Sequence, residues 1–115
     1  MNERDETRLR DMLDAANKGR LYVLGKTRPM LEDDDELLGF AVVRAIEIVG
    51  EAASKVTPET RKAFPQIKWR EVIGMRNRIA HDYLSVDYNI VWDVAIHDLP
   101  ELIVELDRIL SSAND

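Results

Sequence analysis

The segment MRNRIAHDYL, Met75 to Leu84, sets two arginines, an asparagine, a histidine and a tyrosine within eight residues. Its apolar members, Met75, Ile79, Ala80 and Leu84, look like anchors of a helix on a core. Its polar members are the residue types that grip phosphates and move protons. It is either a helix with a solvated outer face or the centre of a site. The chain on both sides decides which.

Upstream, the helical pattern begins near Trp69, so a third helix is expected over Trp69–Tyr83. Downstream, LSVDYN turns the chain, with Ser85 or Asp87 as N-cap. A fourth helix then runs from about Tyr88 to Leu110, with Val91, Val94, Leu99, Leu102, Leu106 and Ile109 among its apolar residues. Pro100 lies inside it and should kink it, because proline removes a backbone donor and crowds the preceding turn. Before Trp69, Thr57 ends or caps a helix, Pro58 starts a short turn and Pro65 stops it.

The second helix, about Asp35 to Val56, is apolar on more than one side. Leu38, Val42, Ile46, Val49 and Val56 form its main stripe, widened by Leu37, Ala41 and Ile48. Such a helix is central, packed on both flanks or used in a subunit interface. Arg44, Glu47 and Glu51 share one face, as an exposed ion-paired strip or as the polar wall of a site. The run EDDDE, Glu32 to Glu36, reads as the acidic start of this helix rather than as an interaction tail. The first helix spans about Asp5 to Leu24, carries Leu9, Met12, Leu13, Ala16, Val23 and Leu24 as its apolar pattern, and is broken by Gly25. The fold expected is all-α: an up-and-down four-helix bundle in one domain, residues 1–115, with a short extra turn between helices 2 and 3.

A chain of 115 residues can bury one core without staples, and without cysteine it has neither disulfides nor thiolate metal ligands. The charged opening MNERDETRLRD lacks the apolar stretch of a secretory signal. No apolar run approaches the roughly 18 residues that span a bilayer. A soluble cytoplasmic protein without a membrane partner is expected. The net charge of −6 argues against a general nucleic-acid binder, yet the charge is unevenly placed. Residues 1–58 hold nine Lys/Arg against twelve Asp/Glu, residues 59–78 hold six against two, and residues 79–115 hold one against eight. The single basic window therefore ends inside the opening segment.

No glycine-rich phosphate loop, paired-histidine metal motif or nucleophile elbow is present. Two histidines without cysteine speak against a protein-held catalytic metal, and no cofactor is expected. His97 reads as a surface or partly buried side chain, and Trp69 and Trp92 as core or interface anchors. Arg76, Asn77, Arg78, His81 and Tyr83 remain. On an unbroken helix Arg76 and Tyr83 lie nearly in line, but His81 lies roughly 140° away from Arg76. Aiming Arg76 and His81 at one atom therefore requires a distorted helix end or a second copy of the chain. Otherwise His81 packs or caps and the arginines are solvated.

The spacing Arg76–x4–His81–x–Tyr83 resembles the R-x4-H-x-Y motif of HEPN domains of the HepT type. The flanking segments RAIEIVGEAASKV (44–56), IKWREVIGMRNRIAHDY (67–83) and VWDVAIHDLPEL (91–102) are similar in style and order. The resemblance covers about Asp33 to Leu110. It implies a metal-independent ribonuclease toxin of a type VII-like toxin–antitoxin system, homodimeric, with a cleft shared between subunits. It further implies a minimal nucleotidyltransferase as antitoxin partner. Carried over to this sequence, Arg76 and His81 become the catalytic pair and Asn77 an orienting or phosphate-contacting group. Tyr83 becomes the tyrosine that the partner adenylylates.

The residue types suit that role. RNA carries its own nucleophile, the 2′-OH, so cleavage needs proton transfer and charge stabilisation. His81 can exchange protons near neutral pH, and Arg76 can hold a phosphate bidentately. Lys68, Arg70 and Arg78 are expected to help hold the RNA backbone. Transfer RNA and messenger RNA are both candidate substrates. The alternatives are a non-catalytic nucleotide- or substrate-binding helical module that serves a nucleotidyltransferase, and a plain dimerisation scaffold.

Overall fold

Helix α1, Glu3–Val23, begins where the Asn2 side chain accepts the Asp5 N–H at 2.7 Å. The computed structural model describes residues 1–33, 36–80 and 85–113. The helix stops at Gly25, whose φ of 75° lies in the left-handed region that glycine enters without a Cβ penalty. The chain then makes a 3₁₀ turn, Arg28–Glu32, and enters α2, Leu37–Ser54. Leu24, expected on the apolar stripe of the first helix, is exposed because the helix has already ended.

The core runs along α1 and α2. Leu9, Met12 and Ala16 of α1 and Val42, Ile46, Val49 and Ala53 of α2 are fully buried. Helix α2 is covered on two sides, by α1 on one and by α4, Trp69–Ile73, and α5, Met75–Ile79, on the other. Helix α1 also packs against α7, Leu99–Ala113, which adds Leu102, Leu106, Ile109 and Leu110 to the same cluster. The architecture is the all-α bundle expected, with the short α3, Pro58–Ala63, as the extra element between helices 2 and 3. Among the described residues no strand forms, and one antiparallel bridge pairs Ala80 with Val86. No described helix is long and apolar enough to cross a membrane.

Two expected helices differ in detail. The third is interrupted at Gly74 and leaves helical geometry at Ala80, whose φ of −144° and ψ of 134° are extended. Glycine costs a helix backbone entropy, and no side chain at that position repays it by packing. The rest of the expected span to Tyr83 falls on residues outside those described. The fourth runs as α6, Tyr88–Asp93, a π-helical turn, Val94–Asp98, and then α7. The disruption expected from Pro100 takes this form: the Leu99 N–H reaches back to the Val94 carbonyl, five residues away. Of the two candidate caps, Asp87 takes the role, accepting the N–H groups of Asn89 at 3.0 Å and Ile90 at 3.3 Å.

Asp5 makes a buried long-range polar link, and the sequence patterns did not single it out. It is 1% exposed. Its carboxylate accepts the Thr57 N–H at 3.1 Å and the hydroxyls of Thr57 and Thr60 at 2.5 Å each. Thr57 therefore turns its hydroxyl onto α1 instead of back onto α3. Burial alone would raise the pKa of Asp5. The two hydroxyls, the Thr57 N–H and the N-terminal ammonium outweigh it and hold the pKa below the ordinary value.

A folded-state pKa below the unfolded one means that this carboxylate stabilises the fold above an unfolded value of about 3.9. Its contribution is lost as pH falls through that value towards the folded pKa. Asp5→Asn keeps the size but offers an NH2 donor to groups that also donate. Urea unfolding at pH 7 should show the variant less stable by about 2 kcal/mol. The gap from the parent chain should close below about pH 4. A gap that does not depend on pH would mean that size or packing, not the charged acceptor, is what Asp5 supplies.

Candidate active site

Helix α5 is one short stretch with two fixed points. Met75 and Ile79, four residues apart, are 2% and 0% exposed and hold one side of the helix to the core. The residues between them, Arg76, Asn77 and Arg78, are consequently all exposed. Helix α2 approaches this region closely. A Cβ at Gly50 would lie 3.3 Å from the Val72 carbonyl oxygen and 3.4 Å from that of Ile73, so glycine there admits the backbone of α4. Glu47 is three residues before Gly50, on the same side of α2, and so is brought to α5.

Arg76 Nε donates to Glu47 Oε2 at 3.2 Å. Glu47 is the more enclosed partner, with its side chain 25% exposed against 62% for Arg76. Only Nε is engaged, which leaves the Nη edge of the guanidinium without a partner among the described residues. That edge is the fork that takes two oxygens of a phosphate. The strip of Arg44, Glu47 and Glu51 thus divides. Arg44 and Glu51 form an exposed pair at 3.6 Å, while Glu47 becomes the polar wall beside Arg76. Sequence spacing identified the strip but not which of its members meets α5.

His81 and Tyr83 lie outside the described residues. What is described is how the chain enters and leaves that segment. Ala80 is extended and bridges to Val86, and the Asp87 N–H donates to the Ile79 carbonyl at 2.8 Å. Residues 81–85 therefore connect two strand-like ends that are held together. The 140° separation of Arg76 and His81 assumed an unbroken helix, and that assumption fails at Ala80. A distorted helix end, one of the two alternatives that the sequence left open, is present at Ala80.

Of the basic residues expected to hold RNA, Lys68 and Arg78 line one cleft, and Arg70 does not. Arg70 is exposed on α4, and Lys68 is its N-cap. Arg78 pairs with Asp98 of the π turn at 2.8 Å. Lys68 and Arg78 line a cleft of about 440 Å³ between α4–α5 and α7, in which Glu71, Asp98, Glu101 and Glu105 outnumber them. That setting counts against their role as phosphate contacts. His97 is exposed, and Trp69 is half-buried with its Nε1–H donating to the Phe64 carbonyl at 3.0 Å.

Residues 12–109 match the family described as "Ribonuclease HepT-like". The chain is 33% identical to "Putative RNase MJ0125" of Methanocaldococcus jannaschii, over 71% of each chain. It is 32% identical to "Putative RNase MJ1380" of the same organism, over 93% of this chain and 98% of that one. It is 38% identical to "Probable ribonuclease HepT" of Thermococcus cleftensis, over 59% of this chain and 62% of that one. No solved structure matches.

An ion pair this exposed contributes about 0–1 kcal/mol to folding. Glu47→Ala and Arg76→Ala should therefore unfold in urea within about 1 kcal/mol of the parent chain. A larger loss in either would show that the pair is part of the scaffold and would disqualify both variants as probes of chemistry.

Proposed function

We propose that this chain, which belongs to the ribonuclease HepT-like family and is a ribonuclease, cleaves RNA through Arg76 and His81 without a metal ion. The RNA 2′-OH attacks the adjacent phosphorus while a base takes its proton. The bond to the 5′-oxygen breaks, and an acid protonates that leaving oxygen. The products are a 2′,3′-cyclic phosphate, or its hydrolysed form, and a 5′-OH. His81 carries a proton in this scheme, and Arg76 stabilises the charge that builds on the phosphoryl oxygens. Asn77, exposed beside Arg76, orients the phosphate.

The observation that carries the reading is the state of Arg76. Its Nε is held by Glu47 and its Nη fork has no partner among the described residues, which suits a pre-oriented phosphate clamp. Glu47 has two opposed effects: it aims the guanidinium, and its charge repels the phosphate. Glu47→Ala should therefore lower KM and lower kcat by about tenfold. If kcat is unchanged, Glu47 does not position Arg76.

The toxin, antitoxin and dimer readings belong to the same proposal. Exposed Leu21, Leu24, Leu37 and Phe40 lie around the α1–α2 connection and are apolar surface that a second copy would cover. In the paired system a minimal nucleotidyltransferase transfers AMP from ATP to Tyr83. The phenol oxygen bonds to the α-phosphorus, pyrophosphate leaves, and the phenol proton goes to a base. A nucleotide on Tyr83 brings bulk and negative charge into the segment that carries His81, which opposes RNA entry.

His81→Ala and Arg76→Ala should each lose RNA cleavage by about 100-fold or more, and EDTA should leave the parent chain active. Light scattering should give about twice the 13.2 kDa chain mass. After co-expression with a neighbouring nucleotidyltransferase, AMP should map to the Tyr83 peptide and be absent from Tyr83→Phe. Full activity in His81→Ala removes the proton-carrier role. Equal neutralisation of Tyr83→Phe would assign inhibition to binding instead.

A further inference from the structure

The cleft between α4–α5 and α7 is a second feature, separate from Arg76. Helix geometry puts Arg78 about 200° around α5 from Arg76, so the cleft lies on another side of that helix. Arg76 and Glu47 are not among its lining residues. At about 440 Å³ it is of the size that encloses several side chains.

Its floor is apolar. Val72, Met75 and Leu102 form the bottom, and Val104, 53% exposed, stands at the edge. Its two walls differ in charge. Asp98, Glu101 and Glu105 repeat along one wall at a spacing of three and four residues, which makes a single acidic stripe. Asp98 is matched by Arg78 across the cleft, and Glu105 by Arg108 at 3.0 Å. Glu101, and Glu71 on the opposite wall, have no ion-pair partner among the described residues, and both are exposed. Of the two cations that line the cleft, Lys68 and Arg78, Lys68 has no such partner among the described residues.

We infer that this cleft docks an amphipathic helix from a partner protein, whose apolar face meets Val72, Leu102 and Val104 and whose basic flank meets the Glu101 wall. Charge complementarity selects that occupant. A polyanion such as RNA meets four carboxylates here, and an uncharged apolar helix leaves Glu71 and Glu101 beside its non-polar surface without a counter-charge. A helix with apolar anchors covers the floor, and lysine or arginine along one edge meets the Glu101 wall, in the helix-in-groove mode. The occupant would also touch Met75 and Arg78, the neighbours of Arg76 on α5. The inference does not rest on the ribonuclease chemistry.

The test uses a fluorescein-labelled synthetic helix with leucines on one face and lysines along one flank. A control peptide has glutamate in place of each lysine. Fluorescence anisotropy with the full chain should give micromolar affinity for the first and at least tenfold weaker binding for the control. Glu101→Lys and Val104→Lys, both at exposed positions, should each weaken the first peptide by about tenfold, with unchanged urea unfolding. NMR shifts on titration should centre on Val72, Leu102 and Val104. Equal binding of the two peptides, no effect of either variant, or shifts centred on Leu37 and Phe40 would overturn the inference. Displacement of the peptide by a single-stranded RNA oligonucleotide would also overturn it, because the cleft would then be part of the RNA path. Retention of the peptide in the presence of RNA supports two separate sites.

Discussion

A single buried carboxylate fixes where the middle of this chain begins. Asp5 lies in the first turn of α1, yet all three of its long-range donors come from residues 57 and 60. A carboxylate enclosed this fully is tolerable only because its oxygens are satisfied, and the groups that satisfy it are the cap and first turn of α3. The link ties the end of α2 to the start of α1, and from there the short α3 leads the chain into α4. An apolar α2 could slide along α1 in several ways, and this link adds a polar constraint at its end. Hydrophobic burial sets the partners. The hydrogen bonds of Asp5 set their register.

That register decides what α2 presents to the site. The helix is apolar enough to be covered on two flanks, and the remaining face must serve whatever lies beside α4 and α5. Gly50 lets the backbone of α4 come close, and one turn earlier Glu47 finds Arg76. A Cβ at position 50 would crowd the Val72 and Ile73 carbonyls, and α4 would have to give by a few tenths of an ångström. The ion pair is therefore a consequence of close helix packing rather than its cause, which agrees with the small stabilisation expected of an exposed pair. Its value is geometric: it holds one edge of a guanidinium and leaves the other edge without a partner among the described residues.

The charge asymmetry of the sequence acquires a spatial meaning in the fold. The end of the basic window, within residues 66–78, and part of the acidic C-terminal segment, within residues 98–105, face each other across the cleft between α4–α5 and α7. Their pairing, Arg78 with Asp98, joins α5 to the π turn. It also removes Arg78 from the set of free cations. A basic window in a sequence is thus no guarantee of a basic surface, because folding can place a carboxylate opposite each arginine. Arg76 differs because the carboxylate it meets takes only Nε.

Periodicity alone determined the four helical stretches, the central place of α2 and most of the core, because burial of apolar side chains at helical spacing is a local pattern with a global consequence. Residue types and spacing also identified Arg76, and the R-x4-H-x-Y resemblance identified the family to which the chain belongs. Three things were decided only by tertiary structure. Asp5 looked like an ordinary first-turn acid, since the donors that bury it are more than fifty residues away. The helix carrying Arg76 looked continuous to Tyr83, but it leaves helical geometry at Ala80, where the backbone pairs with Val86 instead. Glu47 and Glu51 looked equivalent on one polar strip, and only the close approach at Gly50 made one of them the partner of Arg76 while the other stayed in solvent. In each case the sequence held the residue, and a contact between distant segments gave it its role.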